Sequence, residues 1–213
     1  MEIPLSKRLR KRAHQEVALL QDELVEMMYA AFQQERPVLH GGTAIWRCYK
    51  GNRFSEDLDF YAREKKNFRE LFFREAAARG LEVTKYKQTS NVIFAKVSNG
   101  SAEVRLEINT TKTVSGIVAE YEKVNGWRMD VLTLSPEELI REKMSAYETR
   151  RMARDIYDIY HLSRFVGEVR GMREFLRKAK PPVDEKNLRA VVYSGVAPSF
   201  TQMVEALSRR FSK

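Results

Sequence analysis

The 213-residue chain has one cysteine, Cys48, and only three histidines, His14, His40 and His161, spaced far apart. A lone cysteine excludes an intrachain disulfide framework and a cysteine-built zinc site. The dispersed histidines show no helical zinc-ligand spacing, which leaves a histidine-based metal centre without support. Long apolar runs are also missing, and none approaches the ~20 residues that cross a bilayer. The basic N-terminus is not followed by an apolar stretch with a small-residue cleavage site, so it does not read as a signal peptide. These absences lead us to expect a cytoplasmic protein with no membrane partner. Acidic residues are the charge in deficit, 29 against 38 basic ones, for a net charge of +9. That balance suits a polyanionic partner: nucleic acid, nucleotide or an acidic protein. With 43% hydrophobic residues the chain can bury a core without staples.

The chain divides by pattern, with no internal repeat and no low-complexity segment. Five basic residues lie between Lys7 and Arg12; they read either as a solvated helix face or frayed arm, or as a nucleic-acid-facing patch. In the stretch 15–34, Leu20, Leu24, Met27, Met28, Ala31 and Phe32 recur at helical spacing, and Pro37 is expected to end the helix. Val38 and Leu39 read as a short buried strand running into Gly41-Gly42, followed by a helix over 43–49 and a turn at Gly51-Asn52. Leu58 and Phe60 alternate with Asp57 and Asp59, as in a half-buried strand. A helix over 67–79 stops at Gly80, and strands are expected over 81–87, 92–97, 101–111 and 129–134. Ser135-Pro136-Glu137-Glu138 is a helix start with a capping box and proline in the first turn. From there to Lys213 the chain reads as helix, broken at Gly167, Gly171, Pro181-Pro182 and Gly195–Pro198. The boundary is expected near 134: an α/β (α+β) unit over 1–134, then an all-helical unit over 135–213.

Asp57-Leu58-Asp59 carries the most chemical information. Residues i and i+2 of a strand point to one face, a few ångströms apart. Two carboxylates so placed repel each other unless a cation lies between them, and hard oxygen ligands suit Mg²⁺ or Mn²⁺. The alternative is a solvated strand edge. Gly41-Gly42-Thr43, about fifteen residues earlier, lies between a strand and a helix N-terminus, where backbone amides can approach a phosphate and Thr43 adds a hydroxyl. Read alone, the glycine pair is equally a tight turn. It is neither a Walker A loop nor a dinucleotide fingerprint. Two-metal phosphoryl transfer, with ions ~3.5–4 Å apart, needs more than two carboxylates. Glu107, flanked by Leu106 and Ile108, is the favoured third acid, with Glu103 the fallback.

The segment VLHGGTAIWRCYKGNRFSEDLDFY resembles the AbiEii-type nucleotidyltransferase toxin family, within the polymerase-β-like superfamily. Gly41, Gly42, Thr43, Arg53, Ser55, Asp57 and Asp59 stand where that pattern puts them. A second segment, EKMSAYETRRMARDIYDIYHL, is similar to the family's helical motif at Lys143, Ala146, Arg150, Arg154, Asp155, Tyr157 and Asp158. The resemblance covers about 40–165. It implies a nucleotidyltransferase-fold mixed sheet flanked by helices, followed by a helical domain lending Lys, Arg and Asp to the nucleotide site. It further implies a Mg²⁺- or Mn²⁺-dependent enzyme moving NMP from an NTP to an acceptor hydroxyl. The acceptor would be RNA such as tRNA, in a toxin–antitoxin or phage-defence setting with a cognate antitoxin. Asp57, Asp59 and Glu107 would be the metal-binding acids. Gly41, Gly42, Thr43, Arg53, Ser55, Lys143, Arg150 and Arg154 would contact the nucleotide.

The residues of the second segment also have a reading of their own. Lys143, Arg150, Arg154 and Asp158 are spaced 7, 4 and 4, so they share one stripe if a single helix continues through them. The cations could neutralise a triphosphate. Asp158 could orient a basic residue or act as a base, and Tyr157 could stack on a nucleobase or simply pack. The plain alternative is a solvated helix with i,i+4 salt bridges. For the whole protein two other functions stay open: nucleotidyl transfer to a protein or small molecule, and a non-catalytic RNA-binding module.

Overall fold

The computed structural model describes residues 3–32, 36–63 and 67–212. In chain order the elements are α1 (Leu5–Arg8), α2 (Arg12–Ala31), β1 (Val38–His40), α3 (Gly41–Cys48), β2 (Leu58–Tyr61), α4 (Phe68–Ala78), β3 (Glu82–Gln88), β4 (Val92–Ser98), β5 (Glu103–Asn109), β6 (Ile117–Glu122), β7 (Arg128–Thr133), α5 (Pro136–Arg150), α6 (Ala153–Leu162), α7 (Met172–Lys178), α8 (Leu188–Val191) and α9 (Phe200–Phe211). The strands form one mixed seven-stranded sheet in the order β3-β4-β5-β2-β1-β7-β6. β2 lies in the middle, parallel to β5 and antiparallel to β1. The expected mixed sheet flanked by helices is what the chain forms.

Period-two alternation builds the inner face of the sheet. Leu58 and Phe60 on β2, Ile93, Ala95 and Val97 on β4, and Val104, Leu106 and Ile108 on β5 are all buried. Leu20, Leu24, Met27 and Met28 of α2, with Phe68 and Phe72 of α4, share that core. The line expected at 134 falls between β7 and α5, where Ser135 caps α5 in a full capping box with Glu138. The hydrophobic core runs across that point without a gap, from Leu20 to Phe211.

The basic N-terminal stretch is not a frayed arm. Leu5 and Leu9 are buried with Trp46, Phe54 and Val124 in a small second cluster, while Lys7, Arg10, Lys11 and Arg12 face solvent. α2 starts three residues before the expected 15, and its expected end, 33–34, lies outside the described residues.

Two expectations need correcting. Strand β6 was not foreseen, because it is the sheet edge and has no clean alternation. Ile117 and Val118 are 44% and 65% exposed, and only Tyr121 is fully buried. The second correction concerns the helix through Lys143 and Asp158. It breaks at Arg151, a C-cap in the left-handed region (φ 49°, ψ 47°), and α6 starts afresh at Ala153. No glycine or proline announces the break. It is supported from a distance: the Ala153 N–H donates to Asp184 Oδ1 at 2.6 Å, and the Val183 N–H donates to the Arg151 carbonyl at 3.0 Å. These contacts offset the ~1–2 kcal/mol of a left-handed non-glycine residue.

A buried ion pair ties α2, α3 and the β6–β7 hairpin together. The Arg47 guanidinium donates to Asp22, whose carboxylate also accepts the Val124 N–H at 2.8 Å and the Tyr121 hydroxyl at 3.2 Å. Removing one partner of such a pair strands the other charge out of water, which costs about 3–5 kcal/mol. Urea unfolding of Asp22→Ala is expected to show a loss of about that size. Ser135→Ala, which removes only an N-cap, is expected to lose about 1 kcal/mol. Equal losses in the two variants would show that the Asp22 network contributes no more than a cap.

Candidate active site

The sheet centre brings the acids together. Asp59 pairs in register with Glu107 on β5 and with His40 on β1. Asp57, two residues earlier, is held from behind: Thr43 is fully buried and its Oγ1 donates to the Asp57 carbonyl at 2.5 Å. The Asp57 carboxylate accepts from Arg105 Nη2 at 2.7 Å. Burial pushes the Asp59 carboxyl above its ordinary value. The nearby acids Asp57 and Glu107 push the same way, against the opposing pull of His40 and Lys143.

The glycine pair permits this closeness. A Cβ built on Gly41 (φ 72°) would meet Asp59 Oδ2 at 2.2 Å. One on Gly42 would meet Ser55 Oγ at 2.5 Å and Arg53 Nη2 at 2.6 Å. No side chain fits at either position, so the α3 N-terminus lies directly against Asp59, Ser55 and Arg53. α3 has no side-chain cap, which leaves its first N–H groups without a side-chain acceptor.

The loop carrying Arg53 and Ser55 is tied down on two sides. Gln21, buried on α2, donates to the carbonyls of Ser55 (2.8 Å) and Glu56 (3.0 Å). The C-terminal region supplies the other side: the Phe54 N–H donates to the Val191 carbonyl (2.9 Å), and the Tyr193 N–H donates to the Asn52 carbonyl (3.0 Å).

Opposite the acids stands a cluster of cations organised by two buried carboxylates. Asp158 accepts Arg53 Nε at 2.9 Å and Nη2 at 2.8 Å, a forked pair, and it lies 2.9 Å from Lys143 Nζ. Asp155 accepts Arg150 Nε and Nη2, both at 2.7 Å, and lies 3.6 Å from Lys143 Nζ. Burial alone would raise the Asp158 carboxyl. The flanking Arg53 and Lys143 reverse that and hold it at about 2. Arg154 is exposed beside this cluster.

Nine of the residues singled out from sequence line one cavity of about 180 Å³: Gly42, Arg53, Ser55, Asp57, Asp59, Glu107, Lys143, Arg150 and Arg154. Gly41, Thr43 and Asp158 stand in or behind its wall. Glu103 points elsewhere, pairing with Lys96 and Thr84 on the surface. Tyr157 is buried and packs near Tyr160. Because α5 and α6 are separate helices, the cations converge through the turn at Arg151, and Lys143 and Arg150 are gathered by α6 carboxylates.

Sequence reasoning left several residues out. Arg105 lines the cavity and shares the polar face of β5 with Glu107, two positions away, which was the available signal. Asp155, matched in the helical motif but given no role there, has the same anchoring role as Asp158. His40, Tyr61 and Glu142 form a group next to Asp59. The His40 and Tyr61 rings stack at 3.9 Å, His40 Nδ1 lies 3.2 Å from Glu142 Oε2, and the Tyr61 hydroxyl donates to Glu142. The period-two face running from Asp59 to Tyr61 pointed there.

Among the described residues no three His, Cys, Asp or Glu side chains form a preassembled cation cage. The donor chemistry nonetheless suits a hard divalent ion. Mg²⁺ usually binds through one or two carboxylates and completes its shell with water and substrate phosphates.

Residues 23–191 match the family model described as nucleotidyl transferase AbiEii toxin, type IV TA system. That span extends beyond the two motifs at both ends. The fold is similar to MenT4, a nucleotidyltransferase toxin from Mycobacterium tuberculosis H37Rv. The TM-score is 0.62 at 18% identity, over 95% of this chain and 85% of that one. It is also similar to JHP933 from Helicobacter pylori, with a TM-score of 0.55 at 24% identity, over 90% of this chain and 88% of that one. At these identities the likeness is one of fold. No curated protein matches the chain in sequence.

The depressed Asp158 carboxyl makes a pH prediction. Its folded value of about 2 lies below the ordinary 3.8, so its contribution is complete above pH ~4 and is lost as pH falls towards 2. That contribution is about 2 kcal/mol. Urea unfolding between pH 5 and pH 2 is expected to show this loss, and Asp158→Asn to flatten it by about the same amount. An unchanged acid limb in the variant would show that Asp158 is not held by its cations.

Proposed function

The chain belongs to the AbiEii nucleotidyltransferase toxin family, and from that premise we propose that it moves NMP from an NTP to a hydroxyl of an RNA acceptor such as tRNA. Its setting is a toxin–antitoxin or phage-defence system with a cognate antitoxin, and its NTP and RNA substrates assign it to the cytoplasm. The carrying observation is the opposition of charges across one cavity. Asp57, Asp59 and Glu107 lie on one side, and Lys143, Arg150 and Arg154 on the other.

Asp57, Asp59 and Glu107 would hold Mg²⁺ or Mn²⁺, which when bound supplies positive charge to the reacting phosphate oxygens. The Arg105–Asp57 pair is partly exposed, so exchanging it for another cation is cheap. Lys143, Arg150 and Arg154 neutralise the triphosphate and the pyrophosphate that leaves it. The uncapped N–H groups of Gly41 and Gly42 face the same anion. The acceptor oxygen bonds to the α-phosphorus as the bond from that phosphorus to the β-phosphate oxygen breaks, and Glu107 takes the acceptor proton. Arg53 and Ser55 hold the loop against Gly42, and Thr43 aligns Asp57. Asp158, engaged by two cations, positions Lys143 and Arg53, which favours the orienting role over that of a base. The net charge of +9 supports a polyanionic acceptor.

With labelled NTPs, Mg²⁺ and total RNA, the intact protein is expected to label RNA. Asp57→Asn and Asp59→Asn are each expected to lower the rate at least ~10³-fold, and Lys143→Ala about 10²-fold. Label appearing only in protein, or full activity in Asp59→Asn, would overturn the proposal.

A further inference from the structure

We propose a second anion site that grips a phosphodiester of the acceptor strand, built from Arg36, Arg63 and Lys112 around Tyr61. It rests on the RNA reading above and specifies where that acceptor lies.

β2 carries Asp59 and Tyr61 on one face, about 7 Å apart along the strand. Tyr61 is buried and fixed: His40 stacks on its ring at 3.9 Å, and Glu142 accepts its hydroxyl proton. Lys112 Nζ lies 5.4 Å from the Tyr61 ring centre and 3.5 Å from its hydroxyl. Beyond Tyr61 opens a cavity of about 160 Å³, lined by Arg36, Arg63, Lys112 and Thr113 as its polar groups. Arg36, Arg63 and Lys112 are all exposed.

This cavity differs from the active site in its charge. Arg53, Lys143 and Arg150 are each matched by a buried aspartate. Among the described residues no carboxylate lines the second cavity, and Glu142, which acts on Lys112 from behind Tyr61, is already engaged by His40 and the Tyr61 hydroxyl. Three cations against that one carboxylate leave the opening net positive, which attracts an anion from solution. The size admits the ligand. A volume of 160 Å³ equals roughly five waters, which is room for a phosphate group.

Position selects the source. In-line displacement sets the attacking and leaving oxygens on opposite sides of the phosphorus. Along the chain the acids Asp57 and Asp59 lie between the Arg53 loop, joined to the cation cluster, and Tyr61, which leads into the second cavity. The triphosphate is met on the first side, so the cavity beyond Tyr61 serves the acceptor. An acceptor strand with its hydroxyl at the acids carries its preceding phosphodiester a short step away.

The test compares the intact protein with Arg36→Gln/Arg63→Gln/Lys112→Gln and with Lys112→Gln alone, thermal melting serving to check the fold. Binding of a short single-stranded RNA, without NTP, is followed by fluorescence anisotropy across a salt series. The three cations together hold one phosphodiester, so the triple variant is expected to lower the slope of log K against log salt by about 0.7. In RNA-labelling assays KM for RNA is expected to rise at least ~10-fold, with KM for the NTP unchanged. A raised KM for the NTP with RNA binding unchanged would assign the cations to the triphosphate and overturn the proposal. So would equal RNA binding by a folded triple variant, or by Lys112→Gln if the triple variant fails to fold. If the intact protein labels RNA but these variants bind it normally, only this second site fails. If it neither labels nor binds RNA, both readings fail.

Discussion

Two aspartates out of contact with water, Asp155 and Asp158, determine what the rest of the site can be. Between them they hold Arg53 from the loop before β2, Lys143 from the middle of α5 and Arg150 from its end. Burying a carboxylate is costly unless its charge is matched and its oxygens are hydrogen-bonded; here both conditions are met by the cations the site needs. Forked pairing removes the rotational freedom of the two arginines and fixes where their remaining N–H groups point. The excess is deliberate in its sign: three cations on two anions leave a net positive wall.

The opposite wall is in tension of the other sign. Asp59 is half-buried beside two other acids, and burial together with their charges pushes its carboxyl above the ordinary value. Under the function proposed above, a triphosphate would meet the cations and its counterion the acids, relieving both walls together. Arg105 on Asp57 partly neutralises the acids in the meantime.

Much of this was legible in the chain. Period-two alternation located β2 and β5, the glycine pair signalled a close approach of backbone, and D-x-D signalled two carboxylates on one face. The reading failed where a feature depends on partners distant in sequence. The break at Arg151 is stabilised by Val183 and Asp184, more than thirty residues on, and nothing local marks it. β6 is an edge strand whose exposed Ile117 and Val118 carry no core signal. Arg105 was visible on the right face of β5, but its pairing with Asp57 requires β2 and β5 to be neighbours, which is topology rather than pattern. Spacing alone made Lys143, Arg150, Arg154 and Asp158 a stripe; folding made them a pocket by bending the stripe in two.

The strap from Val191 to Tyr193 has a temporal consequence. It supplies the hydrogen bonds that close the loop holding Arg53, about 140 residues after that loop leaves the ribosome. Chains emerge from the N-terminus at about 5–20 residues per second, so the acids and glycines are exposed several seconds before their cationic counterpart is in register. A copy of this enzyme made only as far as the acids therefore lacks an assembled centre, and its cell is spared the activity until the strap has been synthesised.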